Sequence, residues 1–360
     1  MSIRQDVIPA TVSRRSTIKR TSNRTKATKQ KDIDTVLVVN PNSSGGLTGK
    51  GWDDLSSKIK DILGDNIELA FSKKPGDGTT LARQSLKQGF KKIVAIGGDG
   101  TLNEVANGFF EEPVGIYSNK TGGRAGSASL KPINPDAIMG VVPSGTRNVL
   151  AKSLGLPEGV VESCRAFSLG EPKKIDVIYA TVSNQEDYSS TTSRILLNAA
   201  ETGLGAEIID RSKKVRQVVN SRIVSTITSV ASTLPTYQSN ECKISIDNNR
   251  RKFATKMTMG VIANGQFLGG GFKVAPHASM SDGLLDLVIL KDSGSLKMVD
   301  ELFNMKDGDY KDEDKIIYRQ ARKVSLASKE RDVTVTVDGE PIGILPATFE
   351  VIPHALTVKM

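Results

Sequence analysis

The sequence predicts an α/β domain built on a parallel sheet, followed by a second domain made mainly of antiparallel β structure. Three observations carry this reading. Short apolar or β-branched runs alternate with amphipathic helical segments over residues 33–171, the pattern of βαβ units. Beyond residue 172 strand-like runs follow one another through turn-rich connections. At 360 residues the chain has the length of about two domains.

Thr35–Val39 reads as a buried strand that stops at Asn40-Pro41. Trp52–Leu63 carries apolar residues at helical spacing (Trp52, Leu55, Ile59, Leu63), and Ile67–Phe71 is a second strand. Residues 79–88 form a helix with Leu81, Ala82 and Leu86 on one side. Residues 92–96 are a third strand, broken by Gly97-Gly98-Asp99-Gly100. A helix follows over 101–109, where Thr101 and Glu104 match the capping box. Residues 138–142 and 147–154 read as a further strand and helix. The boundary falls near Gly170-Glu171-Pro172. The second domain has strand-like runs at 175–181, 194–198, 242–246, 255–262, 284–290, 323–326 and 333–337, with one long helical stretch, 207–234. Its domain spans 172–346, and residues 347–360 are expected to return toward the first domain. Residues 118–136 and 184–192 read as surface insertions.

Composition narrows the function. Two cysteines and two histidines make a disulfide scaffold, a Cys-rich zinc module or a His-based metal site a poor fit. No apolar run reaches the length of a membrane span, and the expected location is a reducing cytoplasm. The net charge of +9 is uneven: residues 1–31 hold nine basic groups and one acid, so they carry +8 and the rest +1. A nearly neutral body argues against nucleic acid as a partner. The basic, Ser/Thr-rich segment 1–32 is expected to be a disordered tail. Three roles stay open for it: a solvated extension, a peripheral tether to anionic lipid, or an organellar (mitochondrial or plastid) import signal if the source is eukaryotic. The apolar side of residues 218–234 is backed by Ser and Thr rather than Lys, which favours core packing over an interfacial helix. A homodimer is left open.

Three small-residue loops follow strands of the parallel sheet: Asn40–Gly46, Gly97–Thr101 and Pro143–Asn148. In open α/β sheets a ligand sits beyond the carboxyl ends of the strands, so the three loops are expected to build one site. Glycines let backbone approach a bulky anion. Ser43, Ser44, Thr101 and Thr146 can donate hydroxyls to phosphate oxygens, and a helix N-terminus adds free N–H groups. The loops are neither a P-loop nor a dinucleotide fingerprint: Gly45 stands one residue too close to Gly49-Lys50, and no G-x-G-x-x-G follows the first strand. A carboxylate among phosphates, Asp99, calls for an intervening cation, Mg²⁺.

Asn40-Pro41 with its Ser-Gly loop, Gly97–Gly108 (GGDGTLNEVANG) and Pro143–Asn148 resemble the diacylglycerol kinase catalytic-domain family, which includes soluble bacterial and archaeal lipid kinases and is related to sphingosine and ceramide kinases. The similarity continues through Gly269–Phe272, Pro276, Asp282–Asp286 (DGLLD) and Val337–Glu340 (VDGE), roughly residues 34–358. GGDGT by itself is shared with NAD kinases and phosphofructokinase-like folds.

The resemblance implies a kinase with an NAD kinase/diacylglycerol kinase-like α/β domain, a C-terminal antiparallel β-sandwich and an ATP site between them. It implies nucleotide contacts by Asn40, Pro41, Asn42, Ser43, Ser44, Gly45, Ser72, Gly97, Gly98, Asp99, Gly100, Thr101, Leu102, Asn103 and Thr146. It implies a structural metal at the Asp282 carboxylate and the carbonyls near Ser279 and Leu284. Asp338 and Glu340 would supply the base that activates a lipid hydroxyl, with neither preferred. Read alone, Asp338-Gly339 is equally a hairpin turn. One departure is Asn148-Val149, where family members often have Asn-Asp. The expected activity is ATP- and Mg²⁺-dependent phosphorylation of a lipid at a membrane surface, the acceptor being diacylglycerol-like or a long-chain base. An NAD kinase-like enzyme would instead take a soluble dinucleotide, and a catalytically silent lipid-binding regulator would have no need of both acids.

Overall fold

Strands β1 (Thr35–Val39), β2 (Ile67–Phe71), β3 (Lys92–Gly97) and β4 (Ile138–Pro143) lie side by side in the order β4-β3-β1-β2. β1 pairs in parallel with β2 and β3, and β3 with β4. β1 is buried along its whole length and β3 and β4 along most of theirs, which is why they read as unbroken apolar runs. β2 is the edge, and its residues are half-buried or exposed throughout. This is a computed structural model, and it describes residues 33–111, 130–216, 232–233, 237–248, 250–292, 308, 310, 314–329 and 332–360.

Helices cover both faces. α2 (Trp52–Leu63) buries Ile59 and rests Trp52, Leu55 and Leu63 on a core that contains Leu37, Val39, Val94 and Ile96. Asp53 and Asp54 in its first turn and Lys60 in its last suit the helix dipole. α6 (Val160–Leu169) packs on the same side through Cys164 and Phe167. α3 (Asp77–Lys87) and α4 (Asp99–Asn107) cover the other face with Ala82, Leu86, Leu102 and Val105. α1 (Ser43–Lys50) and α5 (Val149–Ser153) are short and stand at the ends of β1 and β4.

β5 (Pro172–Ser183), β6 (Thr191–Leu196), β7 (Ala199–Gly203), β8 (Asn240–Ile246), β9 (Arg251–Ala263), β10 (Leu285–Lys291), β11 (Ile316–Ala321), β12 (Lys323–Ser328), β13 (Thr334–Val337) and β14 (Glu340–Lys359) follow, with α7 (Leu204–Arg216) after β7. Their pairings with one another are antiparallel. Val182, Leu196, Ile244, Ile262, Leu287 and Phe349 are among the side chains of their shared core. β14 links the two regions: it pairs with β5, β12 and β13, and its end, Thr357–Lys359, runs parallel to β4 from Ile138. Residues 33–360 accordingly cluster as one unit.

Several local expectations are corrected. β14 escapes a sequence reading because Pro341, Pro346 and Pro353 read as strand breakers; the strand keeps them by shifting register against β13 beside Pro341, and against β5 between Ile344 and Ala347 and between Ile352 and Leu356. β7 is too rich in small residues and β11 too polar to stand out. The helix expected at 147–154 shrinks to Val149–Ser153, because Asn148 takes a left-handed conformation. The loop 40–46 coils into α1, which turns through three positive-φ residues, Ser44, Gly45 and Gly46. Of the long stretch 207–234, the helix is described only to Arg216; residues 217–231 and 234, the tail 1–32 and residues 118–129 of the first insertion lie outside the described residues. No helix among the described residues is long and apolar enough to cross a membrane.

Candidate active site

The carboxyl ends of β1, β3 and β4 are tied together by short polar contacts. Asn40 opens the first loop, and its Nδ2 donates to Thr101 Oγ1 at 2.9 Å. Ser43 Oγ donates to the Asn40 carbonyl at 2.8 Å and lies 3.0 Å from Ser144 Oγ. Ser44 Oγ donates to the Ser144 carbonyl at 2.8 Å. Gly98 and Gly145 meet backbone to backbone: a Cβ on Gly145 would stand 2.5 Å from Gly98 Cα. Only glycine permits that approach, so this pair sets the distance between the loops after β3 and β4. The capping box expected from Thr101 and Glu104 is absent. Thr101 Oγ1 is taken by Asn40, and the Glu104 carboxylate accepts the N–H groups of Gly76 and Gly78 at 2.8 and 3.0 Å. Glu104 thus ties the start of α3 to α4.

These loops enclose a cavity of about 460 Å³. Of the residues expected to meet nucleotide, Asn40, Asn42, Ser43, Ser44, Ser72, Gly98, Asp99, Gly100, Thr101 and Thr146 line it, as do Asp338 and Glu340. Ser72 reaches it because its N–H continues the β2 pairing onto the Val39 carbonyl at 2.9 Å. Pro41, Gly45, Gly97, Leu102 and Asn103 do not line it. Leu102 is a fully buried core residue. Gly97 packs against Thr101, whose side chain fills the place of a Cβ. Asn103 points away, toward the second region of the sheet.

Three cationic liners went unnoticed in the sequence: Lys73, Lys74 and Arg147. The first two sit on the turn into α3, where the Asp77 carboxylate accepts both of their backbone N–H groups at 2.8 and 3.0 Å. Those N–H groups hold the Asp77 carboxyl below its ordinary range. A Lys-Lys pair after a strand is a faint signal, and it becomes informative only once the fold brings it beside Asp99. The Asp99 carboxylate accepts the Leu150 N–H at 3.0 Å through Oδ1, which joins the start of α4 to α5.

Asp338 and Gly339 form the two-residue turn between β13 and β14, both with positive φ, as such hairpins require. The Asp338 carboxylate accepts four hydrogen bonds: Oδ1 from the N–H groups of Asn198 and Ala199 at 2.9 and 3.0 Å, Oδ2 from the Leu197 N–H at 2.9 Å and Asn103 Nδ2 at 2.6 Å. Burial pushes its carboxyl above the ordinary range, and the four donors oppose that shift. A carboxylate offers about four lone-pair positions, so Asp338 is saturated. Glu340 differs. Its Oε2 accepts Arg194 Nη1 at 3.0 Å, and its Oε1 lies against Gly100, in the first turn of α4. Arg194 Nε in turn donates to Asn103 Oδ1 at 2.6 Å. Behind Asp338, Glu201 on β7 sits beside a smaller cavity with Arg147; burial raises its carboxyl to about 7, against the pull of Arg147.

Asp282 and Leu284 stand at the turn before β10, where the Asp282 carboxylate accepts the Leu284 N–H at 3.0 Å. With Ser279 they line none of the cavities described above. No cluster of three His, Cys, Asp or Glu side chains suited to a metal occurs among the described residues.

Residues 34–180 match the family model of the diacylglycerol kinase catalytic domain, and residues 198–360 that of the YegS C-terminal NAD kinase beta sandwich-like domain. A diacylglycerol kinase of Bacillus subtilis is 26% identical over 315 residues, covering 87% of this chain and 91% of that one. The "probable lipid kinase YegS-like" protein of Chromohalobacter salexigens is 27% identical over 284 residues, covering 77% and 78%. A crystal structure of a diacylglycerol kinase from Bacillus anthracis shares the fold, with a TM-score of 0.63 at 20% identity, covering 92% of this chain and 98% of that one. Fold and family models together define the class: a phosphotransferase with an alcohol group as acceptor. The chain belongs to the diacylglycerol kinase catalytic-domain family and is a lipid kinase.

Proposed function

We propose that the chain binds ATP in the cavity between the loops after β1, β2, β3 and β4, and transfers the γ-phosphoryl group to a hydroxyl of a diacylglycerol-like lipid met at a membrane surface, with Glu340 as the base. The observation that carries this is the contrast between the two acids of the turn. Asp338 has its acceptor positions filled by four donors, whereas Glu340 keeps Oε1 uncommitted beside the N-terminus of α4. Asp338 then acts as a fixed anion that locks the hairpin to Leu197–Ala199 and to Asn103, and so aims Glu340.

Phosphoryl transfer asks mainly for alignment and neutralisation of charge. The N-terminus of α4 supplies free N–H groups for phosphate oxygens, and Lys73, Lys74 and Arg147 supply positive charge at the cavity wall. In the step itself, the acceptor oxygen forms its bond to the γ-phosphorus, its proton passes to Glu340 Oε1, and ADP leaves. Asp99 fits a Mg²⁺ ion shared with phosphates, since such ions are held by one or two carboxylates plus phosphate oxygens; when bound, the ion neutralises developing phosphate charge. A structural cation at Asp282, with the carbonyls of Ser279 and Leu284, belongs to the same proposal.

The test is phosphate transfer from γ-labelled ATP with Mg²⁺ to diacylglycerol, a long-chain base and other lipids in mixed micelles, with NAD as soluble control. Labelled lipid is expected. Label on NAD alone would move the chain to dinucleotide chemistry, and ATP binding without transfer would point to a regulator.

A further inference from the structure

A second cavity adjoins the first at Glu340. At about 420 Å³, it shares only Pro75, Glu104 and Glu340 with the nucleotide cavity, so Glu340 borders both. Its walls mix polar and charged groups, among them Arg194 paired with Glu340 and Arg83 and Glu111 beside Phe110, with the less polar Leu130 and Tyr179. Phe110 and Leu130 also line a further cavity of about 270 Å³, whose other walls include Phe109, Pro132, Ile352, Pro353 and Leu356.

The wall of this outer cavity is a built feature. Between Ile352 and Leu356 the register of β14 shifts, and His354 takes a positive φ of 52°. The fully buried Asp176 holds that bulge: its Oδ1 accepts the His354 N–H at 2.7 Å, and its Oδ2 accepts the Gly283 N–H at 2.7 Å. On the opposite side Phe110 is bridged to Pro132, and the Phe109 carbonyl accepts the Ile133 N–H at 2.9 Å.

We propose that the two cavities form one track for the acceptor lipid, its hydroxyl end at Glu340 and one hydrocarbon chain crossing Phe110 and Leu130 to the bulge of β14. This rests on the lipid-kinase reading above. The inner cavity, with a carboxylate and many polar groups in its walls, suits the hydroxyl end of an amphiphilic alcohol, and the outer one, walled mainly by Phe, Leu, Ile, Pro and Ala, suits its chain. The volumes suit that occupant. Ligand pockets of roughly 300–1,000 Å³ enclose most of a small molecule, so the inner cavity takes the glycerol and ester region and the outer one a limited stretch of chain. The remainder of the chain stays in the lipid phase. The chain therefore lies along α4 and the end of β14, rather than against the sheet of β8, β9 and β12.

The experiment compares the full-length protein with Ala355→Trp, which fills the outer cavity from the bulge, and Leu130→Trp, which fills it from the facing wall. KM is measured for dioleoylglycerol in mixed micelles and for dibutyrylglycerol, whose chains are too short to reach the bulge. Each displaced methylene weakens binding about fourfold, so the ratio of long-chain to short-chain KM is expected to rise tenfold or more in both variants. A ratio within twofold of the parent, in variants that still bind ATP, overturns the track. A second measurement needs no variant: a diacylglycerol with a diazirine at its chain end is photolysed on the parent protein. Label within residues 352–357 supports the track, and label within residues 240–260 overturns it. If the parent phosphorylates no lipid at all, the lipid-kinase reading fails first, and the track fails with it.

Discussion

Asn103 and Asp338 stand 235 positions apart in the chain and are joined by a 2.6 Å hydrogen bond from the amide Nδ2 to the carboxylate Oδ2. The same amide group donates to the Ile195 carbonyl, and its Oδ1 accepts Arg194 Nε. One fully buried side chain on α4 therefore fixes the hairpin, the strand that carries Arg194 and, through Arg194, the carboxylate of Glu340. Division of labour between the two acids of the turn follows from it.

Glu340→Gln removes a base without removing an acceptor of the Arg194 hydrogen bond. Turnover is expected to fall by roughly 10²–10⁴-fold, the usual contribution of a positioned general base. ATP affinity, read by calorimetry, should stay within a few-fold of the parent. Turnover near the parent value would remove Glu340 from the role.

Asp338→Asn sets an amide where four donors converge. Its NH₂ group faces two of them and leaves those donors without an acceptor, at a cost of about 1–3 kcal/mol for each buried group. The variant should lose stability in urea titrations as well as activity. Loss of activity at parental stability would instead make Asp338 a direct participant in proton transfer.

Glu201 gives a pH signature. Its carboxyl is raised from 4.5 to about 7 by burial, so between those values the folded protein holds a proton that the unfolded chain has released. Stability contributed by this group is therefore lost as pH rises from about 4.5 to 7. Glu201→Gln should make the protein more stable than its parent at pH 8, by about 3 kcal/mol, with little difference at pH 4.5. Equal unfolding midpoints at pH 8 would show that Glu201 is not held in this way.

Asp99→Asn keeps an oxygen to accept the Leu150 N–H and loses only the charge. The fold should survive, while the Mg²⁺ concentration needed for half-maximal rate rises tenfold or more. Asp282→Asn should leave that requirement unchanged and instead abolish any shift in melting temperature caused by EDTA. An unaltered Mg²⁺ requirement in Asp99→Asn would exclude that carboxylate as the ion's protein partner.

Much of the first region was legible because local patterns and buried strands coincide there. Thr35–Val39, Trp52–Leu63 and Ile67–Phe71 fall where periodicity puts them. That Asn40, Ser43, Asp99 and Thr146 would meet was legible because three small-residue loops end neighbouring strands of one parallel sheet, and the structure lines one cavity with them. Lys73, Lys74 and Arg147 were not, since an exposed lysine or arginine carries no mark of what the fold sets beside it. β14 was not, since three prolines contradict a strand until the partner strands show where the register slips.

The sequence by itself determined the alternation of elements, the small-residue loops, the two acids at 338 and 340 and the family to which they point. Tertiary structure alone decided which acid keeps an oxygen uncommitted and which is saturated. The four donors that fill Asp338 come from Asn103 and from Leu197, Asn198 and Ala199. None of them is near the turn in sequence, and a carboxylate's availability depends on every donor within about 3 Å, whatever its place in the chain.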